Sequence, residues 1–176
     1  MNVDIPTAVS EEEIARLREL ATGRDVLELG SWLGHSTIQM AEVARVLHSL
    51  DWHRGDDHAG HAETLAPFVE NLKRYGVDEK VIMHVGLSDV ILPLFRPGAF
   101  DFAFIDGFHT QEQCAKDAEA VARVLAPGSY LAFHDYGIKP AVDIPFGVTE
   151  AVDAFVADGK AEMVGVVRTL AVVRLA

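Results

Sequence analysis

Residues 25–36 read Asp-Val-Leu-Glu-Leu-Gly-Ser-Trp-Leu-Gly-His-Ser, and this stretch predicts a strand, a tight turn and the start of a helix. The apolar run stops at Gly30, and a short apolar run bounded in this way is typical of a buried parallel strand. Gly30 and Gly34 enclose the turn, after which apolar residues follow a helical spacing to about Val46. A strand that leads directly into a helix is the repeating unit of a parallel sheet covered by helices.

The same alternation of strand and helix continues to the end of the chain. Further strands are predicted over residues 46–50, 81–85, 100–105, 129–133, 163–167 and 170–175. Further helices are predicted after the capping pairs Ser10/Glu13 and Thr110/Gln113, before residue 75, and over residues 148–156. Only two residues separate the last two strands, so these strands should pair antiparallel. We therefore predict an α/β fold with a doubly wound, mostly parallel seven-stranded sheet and a C-terminal antiparallel hairpin.

Length and composition suit one domain of this kind. The chain has 176 residues, which we divide into a helical lid segment over residues 1–23 and a core over residues 24–176. A formal net charge of −12 argues against a nucleic-acid partner, and no apolar stretch reaches the length of a membrane span. Cys114 is the only cysteine, which favours a cytoplasmic location.

Glycines and carboxylates stand at the carboxyl ends of the predicted parallel strands. These residues are Gly30, Asp51, Gly86, Asp106 and Asp135. In an open α/β sheet the ligand binds beyond the carboxyl ends of the strands, near the point where the strand order reverses. The strand-end residues therefore predict a single ligand site.

The composition of the first turn indicates what kind of ligand it accepts. Ser31-Trp32-Leu33 separates the two glycines, whereas a dinucleotide site usually carries G-x-G-x-x-G here so that a diphosphate can lie at the helix end. The bulky Trp32 would crowd a diphosphate, so a ligand without one fits better. A turn that binds no ligand is the alternative, because glycines alone are weak evidence.

Two carboxylates beside this turn extend the prediction. Glu28 lies inside an apolar strand, where a carboxylate is costly without a partner. We favour its contact with a cationic ligand group, such as an ammonium, over a side chain that reaches solvent. Asp51 follows the turn by about 20 residues, where a carboxylate can bind both hydroxyls of a ribose. That geometry serves NAD and S-adenosylmethionine alike, and the alternative is an Asp that merely begins a loop.

Together these motifs resemble those of the class I S-adenosylmethionine-dependent methyltransferases, and more narrowly the small-molecule O-methyltransferases of the catechol and macrolide-sugar type. The resemblance extends from residue 25 to the C-terminus. It rests on residues 26–36, Leu50-Asp51-Trp52, Gly86-Leu87-Ser88, Phe104-Ile105-Asp106-Gly107-Phe108-His109 and Phe133-His134-Asp135-Tyr136. It implies a Rossmann-like fold and S-adenosylmethionine as the cofactor.

The resemblance also implies which residues bind the cofactor. The first motif would hold the methionine part, Asp51 would hold the ribose, and residues 86–88 would flank the adenine. The expected cofactor-binding residues are Glu28, Gly30, Ser31, Trp32, Gly34, Ser36, Asp51, Trp52, Gly86, Leu87, Ser88, Asp106 and Gly107.

Asp106 and Asp135 end neighbouring strands in the family's strand order, where two carboxylates can share a divalent cation such as Mg²⁺. The cation would bind the hydroxyl oxygens of the substrate and lower the pKa of the one to be methylated. Relatives usually carry two carboxylate or amide residues at the second position, whereas this chain has His134-Asp135. A His favours a softer ion such as Mn²⁺, Fe²⁺ or Zn²⁺, unless His134 points elsewhere. The predicted metal ligands are Asp106, His134 and Asp135.

His109 lies shortly after Asp106, at a spacing where relatives carry a Lys or His that removes the proton of the substrate. A neutral imidazole suits this role because its ordinary pKa lies near neutral pH. A third metal ligand and an ordinary His near a helix start are the alternatives. The predicted catalytic residues are His109 and Asp106.

We therefore expect methyl transfer from S-adenosylmethionine to a small hydroxylated molecule, in a pocket built from the N-terminal helix and the loops at residues 51–60 and 136–146. A non-catalytic cofactor-binding protein and an NAD-dependent oxidoreductase are the alternative functions. Methylation of nitrogen or sulfur stays open, since cofactor motifs do not choose the acceptor atom. A homodimer also stays open.

Overall fold

The computed structural model describes residues 3–56, 60–139 and 145–176, so parts of the two predicted pocket loops, residues 57–59 and 140–144, lie outside the described residues. The helices are α1 (Glu11–Ala21), α2 (His35–Val43), α3 (Leu65–Arg74), α4 (Ser88–Ile91), α5 (Gln111–Val124) and α6 (Val148–Ala157), and a 3₁₀ helix spans Leu92–Leu94. The strands are β1 (Asp25–Leu29), β2 (Val46–Asp51), β3 (Gly55–Asp56), β4 (Gly60–His61), β5 (Val81–Val85), β6 (Phe100–Ile105), β7 (Leu125–Phe133), β8 (Ala161–Val167) and β9 (Leu170–Leu175).

A seven-stranded sheet with the order β5-β2-β1-β6-β7-β9-β8 forms the centre of the molecule. The first five of these strands pair in parallel, and β9 pairs antiparallel with both β7 and β8. This confirms the predicted sheet and its C-terminal hairpin. The chain runs outward from β1 to β5 and then returns to β6, so the strand order reverses between the carboxyl ends of β1 and β6. That reversal is where a doubly wound sheet binds its ligand.

Helices cover both faces of the sheet because neighbouring residues on each strand point to opposite sides. Val26 and Phe102 pack with Leu17 of α1 and Phe68 of α3 in one buried cluster. Leu27 and Ala103 belong to a second cluster with residues of α5 and α6. Burial on both faces explains why β1 and β6 read as nearly continuous apolar runs.

Helix α1, the predicted lid, lies with its apolar stripe in the first of these clusters. It begins with a complete capping box, in which Ser10 Oγ accepts from the Glu13 N–H and Glu13 Oε2 accepts from the Ser10 N–H at 2.7 Å. Glu13 Oε1 also accepts from the N–H and the hydroxyl of Thr169, both at 2.8 Å, in the turn of the C-terminal hairpin. The helix is thus tied to the sheet, and the role of residues 1–23 as a lid stays a prediction.

Several local predictions were wrong in detail. The predicted loop after β2 contains the short antiparallel pair β3–β4, and α4 was not predicted. Strand β7 begins at Leu125 rather than at residue 129, because the predicted turn at Pro127-Gly128 is accommodated as an irregularity in the pairing with β6. Thr110 caps α5, but the Gln113 amide donates to Asp117 at 3.1 Å instead of completing a capping box.

Within the described ranges, no helix combines the length and the hydropathy that a membrane span needs.

Gly30 joins the ends of three strands. Its N–H donates to the Leu50 carbonyl of β2 at 2.9 Å, and the Asp106 N–H after β6 donates to the Leu29 carbonyl at 2.8 Å. A Cβ atom on Gly30 would lie 2.0 Å from the backbone oxygen of Asp106, and the φ of Gly30 is +84°. Only glycine allows this approach, because both the contact and the backbone conformation exclude a side chain.

We expect Gly30→Ala to lower the free energy of unfolding by at least about 3 kcal/mol, since it combines left-handed strain with displacement of the Asp106 backbone. The matched control is Gly159→Ala, which has a φ of +72° but no atom within 4 Å of its Cβ position. The control should cost only about 1–2 kcal/mol. Urea denaturation measures both variants, and equal losses would contradict the importance of the Gly30 contact.

Candidate active site

A cleft opens at the carboxyl ends of β1, β2, β5 and β6, which is where a doubly wound sheet binds its ligand. The predicted residues in its wall are Gly30, Trp32, Asp51, Trp52, Gly86, Leu87, Ser88, Asp106, Gly107 and His109. The residues that complete the wall are Leu29, Leu50, Gly55, Thr64, Phe108 and Asp117. The tertiary structure thus brings most of the predicted site residues to one cleft.

The remaining predicted cofactor residues, Glu28, Ser31, Gly34 and Ser36, lie outside the wall of this cleft. Ser31 is buried, and its hydroxyl is hydrogen-bonded to the hydroxyl of Ser49. Gly34 is the N-cap of α2 with a φ of +94°, and it packs so closely on Phe68 that a Cβ would lie 3.0 Å from that ring. Ser31 and Gly34 therefore help to fix the conformation of the turn through contacts with the protein interior.

Glu28 is fully buried and does not reach solvent. Its two oxygens accept hydrogen bonds from Ser36 Oγ at 2.6 Å and Thr37 Oγ1 at 2.5 Å, in the first turn of α2. Burial raises the pKa of Glu28 to about 8, against the effect of these hydrogen bonds, and the charges of Asp106 and Asp51 act in the same direction as burial. The carboxyl group therefore couples β1 to α2, and its contact with a cationic ligand group stays a prediction.

Asp51 holds the glycine turn in place. Its Oδ2 accepts from the backbone N–H groups of Ser31 at 2.7 Å and Trp32 at 2.8 Å, and its Oδ1 accepts from the N–H of His53 at 2.7 Å. A carboxylate offers about four acceptor positions, so about one is left for a ligand in this arrangement. The contact of Asp51 with the hydroxyls of a ribose stays a prediction.

Trp32 lines the cleft and is also exposed to solvent. Its backbone has a φ of +46°, and 47% of its surface is exposed although the side chain is large and apolar. Left-handed backbone in a bulky residue is uncommon and is a recurrent feature of ligand sites. The two hydrogen bonds that Asp51 accepts in this turn help to hold Trp32 in that conformation.

Asp106, His134 and Asp135 form a tight cluster beside the cleft. One ligating atom from each lies within 4.8 Å of the others, and His134 Nδ1 is 3.3 Å from both Asp106 Oδ1 and Asp135 Oδ1. Asp135 has a φ of +62°, a conformation that Asp tolerates better than most residues. Two carboxylates and an imidazole at this spacing fit a divalent cation, which is the predicted ligand set.

The charges in this cluster are strongly coupled. Burial lowers the pKa of His134, but the hydrogen bonds and charges of Asp106 and Asp135 outweigh it and raise that pKa to about 11. Burial alone would raise the pKa of Asp135, yet His109 and His134 hold it well below its usual range. In this arrangement His134 is a cation between two anions, and it must release a proton before it can bind a metal.

His109 faces the same carboxylates from the loop before α5. Its Nε2 lies 2.9 Å from Asp135 Oδ2 and 3.9 Å from Asp106 Oδ1. The ring stacks on Phe146 with centroids 5.4 Å apart, and the His109 carbonyl accepts from the Gly147 N–H at 2.9 Å. An imidazole whose ring is clamped and whose nitrogen meets a carboxylate has the geometry of an oriented acid–base group.

Asp117 is a site residue that the sequence reasoning missed. It lies on the buried stripe of α5 between Cys114 and Ala118, is 2% exposed, and accepts from Ser88 Oγ at 2.6 Å. Burial raises its pKa, against the hydrogen bonds from Ser88 and Gln113. A carboxylate on an otherwise apolar helical stripe was the signal that could have identified it.

Comparison with known proteins agrees with this geometry. A family model described as a methyltransferase domain matches residues 27–136. The O-methyltransferase TomG from Streptomyces achromogenes, solved in complex with SAM, is similar with a TM-score of 0.72 and 25% identity, over 96% of this chain and 81% of that chain.

Two further structures share the fold at lower identity. The cofactor-bound Rv0187 from MTB has a TM-score of 0.74 and 24% identity, over 98% of this chain and 84% of that chain. The O-methyltransferase from Bacillus cereus in complex with SAH has a TM-score of 0.70 and 19% identity, over 97% of this chain and 84% of that chain.

We expect Glu28→Gln to remove a pH dependence of stability. The native pKa of about 8 lies above the ordinary value of 4.5 that Glu28 has in the unfolded chain, so the native state keeps a proton that the unfolded state loses. Glu28 therefore makes the wild type less stable as the pH rises from about 5 to about 8. Urea denaturation across this range should show the difference in unfolding free energy between variant and wild type changing by at least about 1 kcal/mol in favour of the variant. A difference that stays constant with pH would contradict a neutral, buried Glu28.

Proposed function

The chain belongs to the family of methyltransferase domains, and we propose that it transfers the methyl group of S-adenosylmethionine to an oxygen of a small hydroxylated molecule. One observation carries the proposal: His109 and Asp106 line the same cleft as Asp51 and residues 86–88, and His109 is paired with Asp135. The likeness to TomG supports it, because that O-methyltransferase was solved with SAM.

The cofactor would lie along the carboxyl ends of β1, β2 and β5. Asp51 keeps about one acceptor position, which suits a ribose hydroxyl, and Gly86, Leu87 and Ser88 line the part of the cleft beyond it. The wall around Gly30 and Trp32 would receive the methionine part. Trp32 argues against a diphosphate and hence against the alternative of an NAD-dependent oxidoreductase.

When bound, S-adenosylmethionine supplies an electrophilic methyl group on a sulfonium. The acceptor oxygen forms a bond to this carbon as the carbon–sulfur bond breaks, so the sulfur leaves as a neutral thioether and the hydroxyl proton must go to a base. The imidazole of His109 would take that proton, and Asp135 Oδ2, which lies 2.9 Å from His109 Nε2, is placed to stabilise the imidazolium that forms. Phe146 and the Gly147 N–H would keep the ring in position.

A divalent cation, Mg²⁺ or Mn²⁺, would be held by Asp106, His134 and Asp135, whose spacing fits three ligands. When bound, it would lower the pKa of the acceptor hydroxyl. The raised pKa of His134, about 11, means that binding would release a proton, so metal affinity should rise with pH.

We expect His109→Ala to lower turnover by about 10²–10⁴-fold, because the acceptor proton loses its base. Release of S-adenosylhomocysteine against a panel of catechols, phenols and sugars measures turnover, and calorimetry should find the affinity for S-adenosylhomocysteine unchanged. His61→Ala is the control, since His61 lies outside the cleft wall. Wild-type protein that binds the cofactor but methylates nothing in the panel would favour a non-catalytic binding protein, and protein that does not bind it would refute the proposal.

We expect EDTA to lower turnover and Mn²⁺ or Mg²⁺ to restore it, because the cation assists deprotonation of the acceptor. Asp135→Asn should abolish this restoration, since it removes a carboxylate ligand. Calorimetric titration of the metal into apo-protein gives a second readout. Turnover that is indifferent to EDTA, together with the absence of a metal-binding heat, would remove the cation from the proposal and leave His109 to act without it.

A further inference from the structure

A buried carboxylate of the N-terminal helix α1 faces the acidic cluster from the side away from the cleft residues Asp106 and His109. Glu13 is 2% exposed, and His134, which follows β7, is 4% exposed. Glu13 Oε2 lies 3.7 Å from His134 Nε2, whereas Asp106 and Asp135 face the other nitrogen of the ring, Nδ1. Helix α1 therefore reaches the cluster through one charged side chain.

His134 Nε2 is buried and has no hydrogen-bond partner in the part of the chain that the structure describes. A buried polar atom without a partner costs free energy, so it needs an explanation. At 3.7 Å, Glu13 Oε2 is too far away for a hydrogen bond, for which the two atoms would lie about 3.0 Å apart. Hydrogen bonds of a functional site are often long before the ligand binds and shorten in the complex. The pair is therefore one short movement away from a hydrogen bond.

The carboxylate of Glu13 is firmly held and still has room for one more donor. Its Oε1 accepts from the N–H and the hydroxyl of Thr169, and its Oε2 accepts from the Ser10 N–H. Glu13 accepts all three of these hydrogen bonds, which suits an ionised carboxylate, and about one of its four acceptor positions is left. The Thr169 carbonyl accepts from the Tyr136 N–H at 2.9 Å. The same hairpin turn thus holds both Glu13 and the segment that follows β7.

The helix cap by itself does not account for this arrangement. A capping box uses one oxygen of the carboxylate to accept from the N–H of the N-cap residue, which Glu13 Oε2 does for Ser10. Nothing in that role requires the carboxylate to be buried beside an imidazole, and burial of a charge is costly unless the charge is paired. The position of Glu13 against His134 therefore points to a second role.

We propose that Glu13 is a positioning residue for the metal ligand His134: its carboxylate accepts a hydrogen bond from the Nε2–H of His134 and so leaves Nδ1 as the nitrogen that binds the divalent cation. This inference rests on the proposed function, because it takes Asp106, His134 and Asp135 as the metal ligands. A histidine that binds a metal through one ring nitrogen usually donates its other N–H to a carboxylate, a carbonyl or a water, which fixes the orientation of the ring. Here the nitrogen that faces Asp106 and Asp135 is Nδ1, and the nitrogen that faces Glu13 is Nε2.

Calorimetric titration of Mn²⁺ into apo-protein tests this role. Glu13→Gln should weaken Mn²⁺ binding by about 10–100-fold, which is the usual loss when such a partner of a ligating histidine is removed. Gln keeps the size of the side chain and is accepted at this position of a capping box.

Ser10→Ala is the matched control, because it removes the hydroxyl acceptor of the same helix cap and leaves the Glu13 carboxylate beside His134. Its affinity for Mn²⁺ should match that of the wild type. Glu13 and Ser10 both lie outside the cleft wall, so the affinity for S-adenosylhomocysteine should be unchanged in both variants.

A second measurement needs no variant of Glu13. In ¹⁵N NMR spectra of the Zn²⁺-loaded wild type, the imidazole of His134 should carry its proton on Nε2 and show the shift caused by the metal on Nδ1. Comparison with His134→Gln identifies its signals among those of the eight histidines. Metal bound to Nε2 would overturn the inference even if Glu13→Gln fails to fold.

The calorimetric outcomes separate this inference from the proposed function. Equal Mn²⁺ affinity of Glu13→Gln and the wild type, or an equal loss in Ser10→Ala, would overturn the role of Glu13 and leave the metal site intact. A wild-type protein that binds S-adenosylhomocysteine but neither Mn²⁺ nor Zn²⁺ would overturn the inference together with the metal site, and methyl transfer would stand without them.

Discussion

The contact between Gly30 and the backbone of Asp106 is the constraint on which the rest of the site depends. It brings the carboxyl ends of β1 and β6 together at the place where the strand order reverses. The Gly30 N–H also reaches the Leu50 carbonyl of β2, so three strands end at one level. This alignment positions the three parts of the site. The turn that carries Trp32 follows β1, the acidic cluster includes Asp106 at the end of β6, and the cleft lies at the ends of these strands.

A second theme is how the molecule keeps several carboxyl groups close together. Hydroxyl groups of Ser36 and Thr37 hold Glu28, backbone N–H groups hold Asp51, and imidazoles hold Asp135. These donors belong to the fold, so the groups are oriented before any ligand arrives.

The elements that the sequence predicted well are those with a local signal. The positions of β1, β5 and β6 follow from apolar runs that end at a Gly or an Asp, and those strand ends meet in the cleft as expected. Strand β7 and helix α4 were less accessible to prediction, because a bulge can absorb a Pro-Gly pair and a short helix shows little periodicity. The contacts that the sequence did not predict are those between side chains whose residues are distant in the chain.

The sequence by itself determined the alternation of strands and helices, the turn that only glycines allow, and the acids at the strand ends, since strand periodicity and turn chemistry act within a few residues. Only the tertiary structure decided what those acids contact. Glu28 accepts hydrogen bonds from hydroxyl groups of α2, and Asp51 accepts them from backbone N–H groups of the glycine turn. The hydrogen bond between Ser88 and Asp117 joins residues 29 positions apart. Such pairings depend on how helices pack against the sheet, and no local pattern encodes that packing.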